Sequence, residues 1–179
     1  VHSGLAMNAI ALLGSEEQKE RWLGPMARIE LVGAFALTEP DHGSDAVALE
    51  TRGRRLGDGY VIDGDKRWIG NAVFADLMVV WARDAQGDVG AFVVEKGAPG
   101  VEATLITGKI GKRASWQADV ALRDVRVPAE NRLPGATSFE DAARVLTSAR
   151  PNIAWRALGH ALAADERAGA YVHEREQLG

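Results

Sequence analysis

Between residues 31 and 128 the chain reads as a run of short strands with no helix among them, and this stretch constrains the fold more than any other feature. Segments 31–37, 76–83, 89–95 and 119–127 are rich in Val, Ala, Leu and Phe and are bounded by turn residues. Parallel strands need crossover connections, usually helices, so the pattern predicts an antiparallel barrel or sandwich rather than a βαβ sheet. Two hairpins are expected within it. Tyr60-Val-Ile, Asp63-Gly64 and Lys66-Arg-Trp-Ile read as strand, tight turn and strand, because Asp-Gly tolerates the positive φ angles of a type I′ turn. Asp84-Ala-Gln-Gly-Asp88 joins the next pair.

The flanks have a helical period. Leu5, Ala9, Leu12 and Leu13 share one face, and Gly14 ends the run. Ser15 lies three residues before Gln18, a capping box that opens a second helix. Trp22, Leu23 and Met26 supply its buried side, and Pro25 predicts a kink or break. Beyond Pro134-Gly135, Ser138 caps a long helix whose first turn carries Glu140 and Asp141. Ala142, Leu146, Ala149, Ile153, Leu158, Leu162 and Val172 give it an apolar stripe, which Pro151 is expected to kink or interrupt. That stripe needs partners, and the chain opens on Val1 rather than Met; the expectation is an excised piece of a longer protein.

Composition excludes several function classes. At 46% hydrophobic and 26% charged residues the chain is an ordinary soluble globular sequence. Its net charge of −4 argues against a nucleic-acid binder. With no cysteine there is no disulfide, thiolate metal site or cysteine nucleophile, and His2, His42, His160 and His173 lack metal-ligand spacing. No apolar run approaches the roughly 18 residues that span a bilayer, and no targeting segment is visible.

The richest chemical segment runs from Phe35 through Ala-Leu-Thr-Glu-Pro-Asp-His-Gly-Ser to Asp45. A strand enters a turn with Pro40 and Gly43, leaving backbone N–H groups and the Thr38 and Ser44 hydroxyls available to a polar heteroaromatic ring and a phosphate. On composition alone a plain polar turn is the commoner outcome. Trp68 alone reads as a core residue of its hairpin. Gly57-x-Gly59 with Gly64 has the wrong spacing for a nucleotide loop, and a strand follows it. Asp41, His42 and Ser44 are too close in sequence to form a triad without a distant partner.

The segments Thr38-Glu-Pro with Gly43-Ser-Asp, and Gly59-Tyr-Val-Ile-Asp-Gly-Asp-Lys-Arg-Trp-Ile-Gly-Asn71, resemble the two signatures of the acyl-CoA dehydrogenase family. Gly14-Ser-Glu-Glu-Gln-Lys, Gly108-Lys, Arg113-Ala-Ser, Val125-Arg-Val-Pro, Leu133-Pro-Gly, Ala149-Arg and Arg175-x-Gln-x-Gly179 match in the same order. Gly33-x-Phe-x-Leu-Thr-Glu-Pro, Val79-Val-Trp-Ala-Arg83, Glu95-Lys-Gly and Asn152-Ile-Ala-Trp are most similar to glutaryl-CoA dehydrogenases. The resemblance implies an α+β fold: a central antiparallel β-barrel domain over residues 31–134, the end of an N-terminal helical domain over residues 1–30, and the first long helix of a truncated C-terminal domain over residues 135–179. It implies FAD as cofactor, with no metal. Phe35, Leu37, Thr38, Gly43 and Ser44 would line the flavin, Thr38 at its pyrimidine side and Ser44 near the pyrophosphate and the acyl-CoA pantetheine. Trp68, Ile69 and Gly70 would form the next wall. Arg175 would reach FAD pyrophosphate across a subunit interface, where a guanidinium suits two phosphate oxygens. Thr147, Ser148, Ala149 and Arg150 would touch CoA, although local helix roles suit Thr147 and Ser148 nearly as well.

The resemblance further implies α,β-dehydrogenation of an acyl-CoA thioester, glutaryl-CoA foremost with decarboxylation to crotonyl-CoA. Electrons would pass to an electron-transfer flavoprotein, and the assembly would be a homotetramer with no nucleic-acid or membrane partner. The expected location is bacterial cytoplasm, or mitochondrial matrix in a eukaryote. Two departures stand out. Gly70 replaces the usual threonine whose hydroxyl serves flavin N5, and Leu178 replaces a phenylalanine. The family's catalytic glutamate is expected beyond residue 179, because Ala149 occupies the alternative position used by a minority. The rivals are a non-catalytic FAD or acyl-CoA binding module, an acyl-CoA oxidase, and a structural remnant that binds no flavin.

Overall fold

The computed structural model describes residues 1–178. A π-helical stretch, His2–Met7, runs into α1 (Asn8–Leu13), followed by α2 (Glu16–Ala27). The capping box at Ser15 and Gln18 forms, and Gln18 also fastens α2 to the rest of the chain by donating to the carbonyls of Glu130 and Arg132. The strands are β1 (Gly33–Ala36), β2 (Arg52–Leu56), β3 (Gly59–Gly70), β4 (Leu77–Arg83), β5 (Val89–Glu95), β6 (Val101–Leu105) and β7 (Gln117–Pro128). The last element, α3 (Phe139–Glu174), starts at the expected Ser138 cap with Asp141 in the reciprocal position. None of the described helices is long and apolar enough to cross a membrane.

The strands form one seven-stranded sheet in the order β1-β4-β2-β3-β7-β6, with β5 also paired to β4. The central β domain between helices is as expected, but its pairing is mixed rather than wholly antiparallel. β1 lies parallel to the first half of β4, Gly33 opposite Leu77, and β2 meets the last residue of β4 through Arg52 and Arg83, also parallel. Both strands therefore use one edge of β4 and leave a fork between them. The connection that permits this is the segment 37–51, long enough to cross from one tine to the other with only a single 3-10 turn, Ala46–Ala48, and no α-helix.

Side chains of β4 alternate between two cores. Leu77, Val79 and Trp81 face the helices with Ile10, Leu13, Met26 and Val145; Met78, Val80 and Ala82 face the opposite side with Ile62, Phe92 and Val120. Burial on both faces explains why β4 reads as an uninterrupted apolar run. The expected Asp63-Gly64 turn is absent. β3 passes straight through these residues because β7 pairs with it from end to end, and a register shift between Ile62 and Gly64 marks a bulge. Gly64 is required there because a Cβ would lie 2.7 Å from the Thr51 Cα. The hairpin turn falls earlier, at Gly57-Asp58 between β2 and β3, where Gly57 takes φ +60°. The Asp84–Asp88 hairpin forms as expected, closed by the Asp84 N–H on the Asp88 carbonyl at 2.8 Å. Pro151 lies inside α3 without interrupting it, and Pro25 lies near the end of α2 in the same way.

Candidate functional site

The fork brings the two signature segments together. After β1 the chain turns through Thr38, whose carbonyl accepts the Arg67 N–H at 2.8 Å, so Thr38 lies against the second half of β3 beside Trp68. Glu39 sits in the fork, 5% exposed, and accepts from the Glu50 and Thr51 N–H groups at 2.6 and 3.0 Å. Between these anchors the loop bulges outward, closed by the Glu39 N–H on the His42 carbonyl and leaving Gly43 and Ser44 exposed. The sequence reading assigned no role to Lys66. Its fully buried ammonium meets Glu39 Oε1 at 2.8 Å and the Leu37 carbonyl at 3.2 Å. Burial pushes the Glu39 carboxyl up, but the Lys66 charge and the backbone donors outweigh it and hold the group down to about 2. Burial lowers the Lys66 ammonium to about 8 against the opposing pull of Glu39.

Trp68 carries backbone strain at the site. The β3–β7 register shifts between Lys66 and Ile69, and at this bulge Trp68 adopts φ +61°, a conformation that bulky side chains rarely take. A hydrophobic residue under such strain would ordinarily be buried in recompense. Trp68 is instead 46% exposed, with the Arg67 guanidinium over its face at 5.3 Å from the ring centroid. The neighbours differ: Ile69 is buried in the core, Phe35 packs edge-on to Trp81 at 6.1 Å, and Leu37 is buried with the helix-side cluster. Phe35, Leu37 and Ile69 thus offer a ligand little beyond backbone, whereas Thr38 and Trp68 offer side chains.

Trp68 opens onto a groove of about 690 Å³, lined also by Val1, Gly70, Asn71, Phe74, Lys112, Trp116 and Arg156 among others. Lys112 and Arg156 face it and, among the described residues, no Asp or Glu side chain does, in a chain whose net charge is −4. Such a groove favours an anionic ligand with a flat apolar part. Phe74 and Trp116 stand edge to face at 5.9 Å on its rim, both exposed. Neither was singled out from sequence; two large aromatics bordering unpaired loops were the available signal. Gly70 also finds its counterpart here, since a Cβ on it would lie 2.8 Å from the Val1 Cγ2. The space a threonine would need is partly taken by Val1.

The remaining predicted residues divide. Thr147, Ser148, Ala149 and Arg150 lie on α3 roughly two turns, about 9–14 Å, before Arg156. The Ser148 hydroxyl donates to the Val145 carbonyl and accepts from the Asn8 amide, a local helix role. Arg175 follows the end of α3 and is exposed, roughly 28 Å along the axis beyond Arg156. The chain does not bring it to its own groove.

Comparison with known proteins places the chain in a family. Residues 34–125 match the family described as "Acyl-CoA dehydrogenase, middle domain", and residues 1–30 match "Acyl-CoA dehydrogenase, N-terminal domain". The short-chain specific acyl-CoA dehydrogenase of Clostridium acetobutylicum is 38% identical over 99% of this chain and 48% of its own length. A crystal structure of glutaryl-CoA dehydrogenase from Mycobacterium smegmatis superimposes with a TM-score of 0.94 at 46% identity, covering 98% of this chain and 45% of that one. A second glutaryl-CoA dehydrogenase structure from the same organism, in complex with FADH2, has a TM-score of 0.94 at 38% identity and the same coverage. The chain spans about half the length of the relatives it matches. It belongs to the acyl-CoA dehydrogenase family.

Proposed function

We propose that the protein carrying this chain binds FAD and removes hydrogen across the α,β bond of a short acyl-CoA thioester. The observation that carries the reading is the exposed Trp68, held left-handed at a bulge beside Thr38 and opening on a groove faced by Lys112 and Arg156. The residues present fit the cofactor. Thr38 supplies polar contacts to the pyrimidine edge of a flavin, and Trp68 gives a flat ring contact at little conformational cost. Gly43 and Ser44 leave exposed backbone and hydroxyl groups for phosphate, and Lys112 and Arg156 complement anionic charge. When bound, FAD supplies the two-electron acceptor. The chain's own part is to bind, orient and shield the reacting groups. Arg175 serves a second copy's site rather than its own, which fits a homo-oligomer and ultimately a tetramer, and electrons leave to an electron-transfer flavoprotein.

Glutaryl-CoA is the proposed substrate, supported by the 46% identity to the M. smegmatis enzyme; butyryl-CoA is the second reading, supported by the C. acetobutylicum short-chain relative. Anaerobic addition of each thioester to the flavin-loaded protein distinguishes them. Bleaching of the flavin band by glutaryl-CoA, with crotonyl-CoA and carbon dioxide as products, is expected. Bleaching by butyryl-CoA alone moves the assignment to the short-chain class, and no bleaching by any thioester overturns the dehydrogenase reading.

A further inference from the structure

A lysine side chain buried to 0% exposure is costly, because the ammonium must leave water and find replacements for its hydration. Stability alone gives weak reason to keep it. Apolar residues of similar volume often replace a buried ion pair at no loss. The Lys66–Glu39 pair does something a hydrophobic plug cannot: it ties three backbone segments to one charge. The Leu37 carbonyl just after β1 accepts from Lys66, the Glu50 and Thr51 N–H groups just before β2 donate to its partner Glu39, and Lys66 itself stands on β3 two residues before Trp68. The Leu37–Thr38 peptide is trans, so its N–H is directed away from the carbonyl that Lys66 holds. Among the described residues that Thr38 N–H has no hydrogen-bond partner. Charge-assisted bonding at the carbonyl also polarises the amide and makes the N–H a better donor.

We propose that Lys66 is a positioning residue of the flavin site: together with Glu39 it aims the free Thr38 N–H and fixes its spacing from Trp68. The proposal rests on the FAD reading above. Lys66 touches neither cofactor nor substrate and acts through the Leu37–Thr38 peptide.

The test is the intact protein carrying Lys66→Met together with Glu39→Gln, which removes both charges and leaves no lone buried ion. Circular dichroism and thermal unfolding report the fold; FAD titration and the absorption spectrum at saturating FAD report the site. The expected result is a folded double variant whose FAD affinity falls about tenfold, as for loss of one well-aimed hydrogen bond, and whose flavin spectrum differs from wild type. A folded variant with wild-type affinity and spectrum overturns the proposal. So does a variant that fails to fold, because the pair would then be structural only. Wild-type protein that binds no FAD is a separate outcome, and it defeats the flavin reading itself.

Discussion

Trp68 joins backbone strain to solvent exposure, and the two can be separated by substitution. Trp68→Gly removes a left-handed conformation worth roughly 1–3 kcal/mol of strain and takes away a ring that is half outside the core. The expected outcome is a midpoint of unfolding equal to or above wild type, measured by urea titration. Glu39 makes a different residue-scale prediction. Its carboxyl is held at about 2 against an ordinary 4.5, so the unfolded chain binds more protons between those values and stability rises with pH across that window. The contribution, about 3 kcal/mol, is fully present above pH 4.5 and is lost as pH falls towards 2. Unfolding free energy measured across the window should flatten in Glu39→Gln. Thr38 and Trp68 were legible as partners because their motifs are distinctive. Lys66 was not: a lysine in a strand reads as solvent-facing until the fork that buries it is seen.

At the scale of elements, local pattern located strands better than it paired them. The β4 and β5 segments were readable from apolar runs, yet nothing local says that β1 and β2 share one edge of β4. The parallel joins are made without the α-helix that a parallel connection normally uses: β1 reaches β4 through the segment 37–51, β2 and β3, and β2 reaches β4 through β3. Asp63-Gly64 misled for a related reason. Asp-Gly is a turn signal only when the strands on either side lack a longer partner, and β7 pairs with both. Pro151 shows flanking helix overriding a local breaker. It cannot donate to the Thr147 carbonyl, but α3 extends on both sides and carries the defect. Pro151→Ala should therefore stabilise α3 by about 1–3 kcal/mol, seen as a higher unfolding midpoint and stronger helical ellipticity.

The molecule as a whole is asymmetric in its packing. The centre of the sheet, β4 and β5, and one face of the first turns of α3 are buried, whereas from Pro151 onward α3 carries Ile153, Trp155, Leu158 and Leu162 into solvent. Trp155, Leu158 and Leu162 share a stripe, and an apolar face of this kind drives association. This chain is expected to self-associate in sedimentation velocity, and Leu158→Glu with Leu162→Glu should shift it towards monomer. A wild-type chain that sediments as a monomer at all concentrations would count against that expectation.

The proposed flavin site rests on Thr38 and Trp68 acting together, and FAD titration of the apoprotein tests that directly. Wild type should saturate at one FAD per chain with quenching of flavin fluorescence, and Trp68→Gly should weaken binding about tenfold or more while the protein stays folded. Absence of saturable FAD binding, or equal affinity in Trp68→Gly, would contradict the central claim.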